Sequence, residues 1–192
     1  MGRVWPRHSG GVRPLNSIVG QHKVYRMFKL PGVKSGSDLE SLFLTVGFIV
    51  VQWGTCEQWL DMMVSLMYHK YPGTRPKKLP FMLEPKLNFL RERANCDSTL
   101  SELKADMLAL ADEFTALSKV RHDLIHGAIA NIDLEDGAFK FIKFDVDNNM
   151  NDVRTVLLRA KDFPSLTKRL LALGNKANHL AQKLSAKMPN AS

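Results

Sequence analysis

The sequence predicts an all-α fold, an up-and-down helical bundle with a small β-hairpin or meander inserted before the last helix. Three long segments carry apolar residues at alternating intervals of three and four, the spacing of helices that pack along their length. Short β-prone runs interrupt this pattern once, ahead of the last segment. With 192 residues, the chain fits one domain with a sizeable core. Because the long segments share one periodicity, a bundle is the most economical packing.

The first long helix is expected from Asp38 to about His69. Ser37 and Glu40 match the capping box that begins a helix, with Ser37 as the N-cap. The segment Tyr71-Pro72-Gly73 should stop the helix.

Two further helices are expected before the chain changes character. A short one should run from about Phe81 or Pro85 to Arg93. A long one should begin at a second capping box, Thr99 to Glu102, and end at Gly127, which is well placed as the glycine that terminates it.

The β-meander is expected at about residues 129–158, with Asp136-Gly137 as a two-residue hairpin turn. The loop at 145–151 superficially resembles a calcium loop, but Met150 replaces the turn glycine and Val156 the bidentate Glu. We therefore reject calcium. The last helix should open near Asp162-Phe163-Pro164.

The positive charge of the chain is concentrated at its beginning. Residues 1–37 contain seven Lys or Arg and no acid, whereas 20 basic and 19 acidic residues follow. This predicts a basic, flexible N-terminal arm at 1–37, a bundle domain at 38–187 and a tail at 188–192. The arm can hold anionic partners without sequence specificity. A leader with a later start, or an organellar transit peptide, fits the same composition.

The compartment expected from the sequence is the cytoplasm. Cys56 and Cys96 form no CxxC pair, so nothing asks for a disulfide framework. A signal-peptide pattern is lacking. The most apolar stretch, Leu42 to Val51, is about half of the ~20 residues that a membrane span needs, so no membrane partner is expected.

The candidate site lies where the second long helix departs from its own pattern. Its apolar seam reaches residue 121, where an apolar side chain is due and Arg121 stands instead, and resumes at Leu124. An arginine on a core stripe is costly unless it is paired or reaches solvent. The preceding seam residues are Leu100, Leu103, Met107, Leu110, Phe114 and Leu117.

Two histidines follow this arginine. His122 and His126, four residues apart, lie on one face of a helix. Near the carboxyl end of a helix the exposed carbonyls favour an imidazolium, which makes His126 a candidate proton-transfer group. The planar fork of Arg121 suits a phosphate. A phosphate clamp beside a proton-transfer group is the minimum needed to cleave a phosphodiester.

Arg121, four residues and then His126, with His122 directly after the arginine, resembles the motif of the HEPN superfamily. An earlier long helix with Trp53 and Glu57 one turn apart extends the likeness, which spans about residues 38–187. The resemblance implies a metal-independent endoribonuclease in which the 2′-hydroxyl attacks the adjacent phosphate, leaving a 2′,3′-cyclic end. It also implies a homodimer whose motif helices face each other.

Carried over by position, the resemblance makes Arg121 the phosphate clamp, His126 the general acid/base and His122 its support, with Glu57 orienting Arg121. RNA is then the partner, and a stress or anti-phage role the setting. An antitoxin or regulator would be a further partner, but Ala128 stands where one toxin branch has a tyrosine.

Three alternatives remain open, and one of them is a membrane-associated basic protein that works through its N-terminal arm. The chain could be a non-catalytic HEPN-like module that binds nucleotide or protein, with Arg121 in a structural ion pair with Glu57. His122 and His126 could also be half of a metal site, but the sequence shows no complementary ligand cluster. We expect no cofactor and no metal.

Overall fold

The computed structural model describes residues 37–70, 76–133, 137–144 and 153–187. The predicted tail, the calcium-like loop and residues 1–36 of the predicted arm lie outside these residues. The described elements are four α-helices, two 3-10 turns and a three-stranded antiparallel sheet. The predicted helical class, with a small sheet before the last helix, is therefore confirmed.

The elements follow one another along the chain in this order: α1 (Asp38–His69), α2 (Leu83–Cys96), a 3-10 turn (Ser98–Leu103), α3 (Lys104–His126), β1 (Ala128–Asp133), β2 (Ala138–Phe144), β3 (Val153–Arg159), a 3-10 turn (Ala160–Asp162) and α4 (Phe163–Ala186).

Helix α1 has the predicted bounds. Ser37 Oγ accepts a hydrogen bond from the Glu40 N–H at 3.1 Å, which satisfies one free donor of the first turn. Nine of its 32 residues are buried in the core. Among the residues that the structure describes, α1 is the one helix whose length and composition would allow it to cross a membrane; 28% of its most apolar window is buried within the protein.

The start of α3 differs from the prediction. Asp97 Oδ1 accepts hydrogen bonds from the Thr99 N–H at 3.0 Å and the Thr99 hydroxyl at 2.6 Å. Asp97 is thus the cap, and the Thr99 hydroxyl is already used. A 3-10 turn occupies 98–103, and the α-helix proper begins at Lys104.

The end of α3 is as predicted, but for another reason. Gly127 follows the helix with φ −80° and ψ 140°, an extended conformation rather than the left-handed one. A Cβ at Gly127 would lie 2.5 Å from the Asp123 carbonyl oxygen and 3.1 Å from Phe141 Cβ. Glycine therefore lets the chain leave the helix against strand β2 without a clash.

The sheet is a meander of order β1-β2-β3. Gly137, at the predicted hairpin turn, has φ +58°, a conformation that favours glycine. Phe139 is fully buried and stacks on Phe163 of α4 at 5.8 Å between ring centroids, which ties the sheet to the last helix. Phe141 is buried beside the end of α3.

The core lies between the helices. Helix α1 packs along α4, α2 packs against α3, and α3 also contacts α4. Trp53 of α1 meets Phe114 of α3 edge to face, with ring centroids 5.7 Å apart. Both side chains are almost completely buried. This contact fixes the distance between α1 and α3 next to the candidate motif.

Candidate functional site

A cavity of about 1020 Å³ opens between α1, α2, α3 and the sheet. Three of the four predicted site residues line it: Glu57 from α1, and Arg121 and His122 from α3. His126, the fourth, is not among the lining residues. Helix spacing explains the difference, because five residues after Arg121 the side chain has turned by about 140° around the axis.

Arg121 is half-buried on the wall of this cavity. No ion pair or hydrogen bond joins it to any residue in the described parts of the chain, and its Nε is buried without an acceptor. An unsatisfied buried donor costs about 1–3 kcal/mol. The guanidinium is held in the fold without a charge partner from those residues.

Glu57 also lines the cavity, one turn of α1 after Trp53. The expected Glu57–Arg121 pairing is absent, since the two side chains form no ion pair within 4.0 Å. Both side chains line one cavity. The geometry thus removes the structural ion pair on which one alternative interpretation depended.

Two further cations line the same cavity as Arg121, and the sequence pattern did not single them out. Lys119 lies two residues earlier on α3, and Lys143 comes from β2. Neither forms an ion pair with a residue that the structure describes, and Glu57 and Glu84 are the two lining carboxylates without such a pair. Clustered like charges in a cleft raise the local concentration of counter-ions. We call Lys119, Arg121, His122 and Lys143 the basic cluster.

The other lining cations are neutralised by partners. Ion pairs join Lys86 to Asp61, Arg91 to Asp112 and Arg154 to Asp123. The basic cluster thus differs from the rest of the cavity wall, and an anionic ligand in the cavity would be attracted most strongly to it.

His122 and His126 are both exposed, and their ring centroids lie 4.7 Å apart. Partial desolvation, the charge of Lys143 and the neighbouring His126 hold the pKa of His122 below its ordinary value of 6.5, while Asp123 acts in the opposite direction. His122 is therefore mainly neutral at pH 7, the form that accepts a proton. It is also the histidine that reaches the cavity.

Asp123 is a site residue that the sequence analysis missed. It is 8% exposed and pairs with Arg154 of β3, so it anchors the end of α3 to the sheet. The heptad seam gave no signal for it, because Asp123 faces strands rather than helices. Asp123 lines the same cavity as its neighbours Arg121 and His122.

Trp53 carries a second unsatisfied donor at the same cavity. The side chain is 2% exposed, and its Nε1 is buried without an acceptor in the described part of the structure. The sequence analysis interpreted Trp53 as packing, and its contact with Phe114 supports that role.

No group of three or more His, Cys, Asp or Glu side chains that could hold a metal ion occurs within residues 37–70, 76–133, 137–144 and 153–187. His122 and His126 thus have no third ligand in these segments. No protein-family model, curated protein or solved structure matches this chain.

Proposed function

We propose that this protein is a HEPN-like, metal-independent endoribonuclease that binds the RNA phosphate at the basic cluster. The observation that carries the proposal is Arg121, a guanidinium on a cavity wall with no charge partner in the described residues and a buried Nε lacking an acceptor. A phosphodiester supplies the missing acceptors and the negative charge. Arginine is suited to it because its planar fork can bind two phosphate oxygens.

In the proposed reaction, the ribose 2′-hydroxyl attacks the adjacent phosphorus while a histidine accepts its proton. The bond from phosphorus to the 5′-oxygen breaks, and that oxygen takes up a proton from His126 acting as general acid. The products are a 2′,3′-cyclic phosphate and a 5′-hydroxyl end. Arg121, Lys119 and Lys143 stabilise the charge that develops on the phosphate oxygens.

The two histidines divide this work by position. His122 lines the cavity and has a depressed pKa, which suits it to accept the proton. His126 stands beside it on the outer side. In a homodimer with facing motif helices, as the HEPN resemblance implies, His126 would reach the cleft between protomers and act as general acid/base there.

The test compares cleavage of a fluorescent RNA by wild type, Arg121→Ala, His122→Ala and His126→Ala. Loss of a general acid–base group should cost about 10²–10⁴-fold in rate. EDTA should leave the rate unchanged, because no step uses a metal, and the products should carry 2′,3′-cyclic phosphate. The proposed chemistry would be refuted if His122→Ala and His126→Ala each cleaved RNA at the wild-type rate. Loss of wild-type activity on chelation would refute it as well.

A second candidate is a non-catalytic nucleotide- or RNA-binding module. The observation that favours it is the position of His126 outside the cavity, which leaves one histidine rather than two at the bound phosphate. Such a module would bind RNA through Arg121 and release it uncut. The cleavage assay discriminates between the two candidates, because only the ribonuclease cuts the RNA that it binds. Light scattering tests the facing dimer separately, since a monomer that still cleaves RNA would contradict it.

A further inference from the structure

We propose that Phe81, with Met82, is a nucleobase-stacking platform at the rim of the cavity, and that the substrate is single-stranded RNA. This inference rests on the proposed function, because it names the class of RNA that reaches the basic cluster. The resemblance does not assign Phe81 a role, and the sequence analysis treated it only as the start of a helix.

The exposure of these two side chains is the first observation. Phe81 is 83% exposed and Met82 is 65% exposed, directly before α2 begins at Leu83. Both line the cavity that contains Arg121. Neighbouring exposed apolar side chains beside a cleft form a surface of the kind that binds ligands.

The neighbourhood of the Phe81 ring is the second observation. Lys86 Nζ lies 5.8 Å from the ring centroid, within the range of a cation–π contact, and is itself paired with Asp61. This contact orients the ring while most of its surface stays open. Because every base has a π-face, an open aromatic ring stacks bases regardless of their sequence.

Charge and size decide what kind of molecule the platform receives. The basic cluster lies on the wall of the same cavity and attracts a phosphate, while the platform offers an apolar surface. A molecule that binds to the basic cluster and to the platform at once must carry anionic groups and flat rings in one chain. The volume of about 1020 Å³ is at the upper end of pockets that enclose a drug-sized ligand, so more than one nucleotide can enter.

Strand state follows from the stacking requirement. In a duplex, each base already stacks on its neighbours and cannot offer a face to Phe81. In a single strand, bases splay out and stack on aromatic side chains while the backbone follows basic groups. The platform should therefore select unpaired RNA and contribute little to duplex binding.

The experiment measures affinity of the full-length protein for a fluorescent single-stranded RNA in which every 2′-oxygen is methylated, so that cleavage is impossible. Phe81→Ala should weaken binding about 5- to 150-fold, the loss typical of one stacked base. Phe81→Trp should keep the affinity, and Phe81→Leu should lose most of it because the ring is gone. All variants should bind a duplex form of the same RNA with equal affinity.

Phe43→Ala is the matched control. Phe43 is an aromatic residue of α1 with 44% exposure, and it is not among the residues that line the cavity. Its substitution should leave RNA binding unchanged. Thermal melting of each variant checks that the fold is retained, which the exposure of Phe81 favours.

Three results with Phe81→Ala would overturn the inference. The variant could bind single-stranded RNA like wild type, or lose as much affinity for the duplex as for the single strand. It could also lose binding to anionic phospholipid vesicles while its RNA affinity stays intact. The last would make the segment a membrane-contacting surface. The methylated RNA cannot be cut, so it reports binding separately from cleavage. If wild type binds it through Phe81 but does not cleave ordinary RNA, the ribonuclease proposal fails and the platform stands. If Phe81→Ala binds with normal affinity and its cleavage still depends on Arg121, the platform fails and the ribonuclease proposal stands.

Discussion

Replacing Arg121 with methionine should leave the protein at least as stable as wild type. Arg121 sits on the core seam of α3 between Leu117 and Leu124, where an apolar side chain fits. Its Nε is buried without an acceptor, which costs about 1–3 kcal/mol. Methionine removes that donor and continues the seam. We expect a gain of about 1 kcal/mol, which raises Tm by about 2–4 °C in a domain of this size.

The same substitution should remove function. Loss of one charge-stabilising donor typically costs about 10²–10³ in rate, so RNA cleavage by Arg121→Met should fall by that factor. Affinity for the methylated, uncleavable RNA should fall as well. A residue that is costly for stability and needed for activity is typical of a binding site.

Arg93→Met is the matched control for this experiment. Arg93 is 5% exposed and pairs with Asp97 through Nη2 at 2.6 Å. Breaking a buried pair should cost about 3–5 kcal/mol, because Asp97 is left without its partner. Urea unfolding and thermal melting of both variants give the comparison. If Arg121→Met is destabilised as far as Arg93→Met, Arg121 is a structural residue and the reasoning fails.

Three other perturbations test separate parts of the structure. The pKa of His122 is lower in the folded state, so its neutral form adds stability above pH 6.5 that is lost as pH falls through the folded pKa. Between pH 7.5 and 5.5 the free energy of unfolding, measured with urea, should therefore fall less in His122→Gln than in wild type. An equal fall in both proteins would contradict the shift. Gly127→Ala should destabilise by about 1–3 kcal/mol, because the new Cβ meets the Asp123 carbonyl and Phe141; an unchanged Tm would contradict the close approach. A chain that starts at Ser37 lacks seven basic residues, so its RNA affinity should fall less steeply with salt; identical salt slopes would show that the arm is idle.

The helices were predictable because their signals are local. Ser37 caps α1 through its own hydroxyl, and the seam residues of α3 are buried as their spacing indicates. Gly137 similarly marked the hairpin by itself. The start of α3 was misassigned because Asp97, two residues before Thr99, takes the capping role, and the pattern of Thr99 with Glu102 cannot reveal that competitor.

The candidate site was only partly predictable. Arg121 was visible as a break in a periodic seam, since periodicity is a property of one helix. Lys143 and Arg154 come from strands that no pattern links to α3, so neither the basic cluster nor the Asp123 anchor could be inferred. The expected Glu57–Arg121 pair failed for the same reason. Sequence spacing assigns a side chain to a face, whereas its distance from another helix depends on how both helices pack.

Local sequence patterns were enough to predict the helical class, the position of the small sheet and the anomaly at Arg121, because hydrophobic period, caps and turn residues act over a few positions. Which charges meet their partners depends instead on the packing of the whole chain. It joined Asp61 to Lys86 and Asp123 to Arg154, and it left Arg121 and Glu57 in one cavity without an ion pair between them. It also placed the exposed ring of Phe81 on the rim of that cavity. Electrostatic and stacking contacts act through space, and only the packing of α1, α2, α3 and the sheet sets those distances.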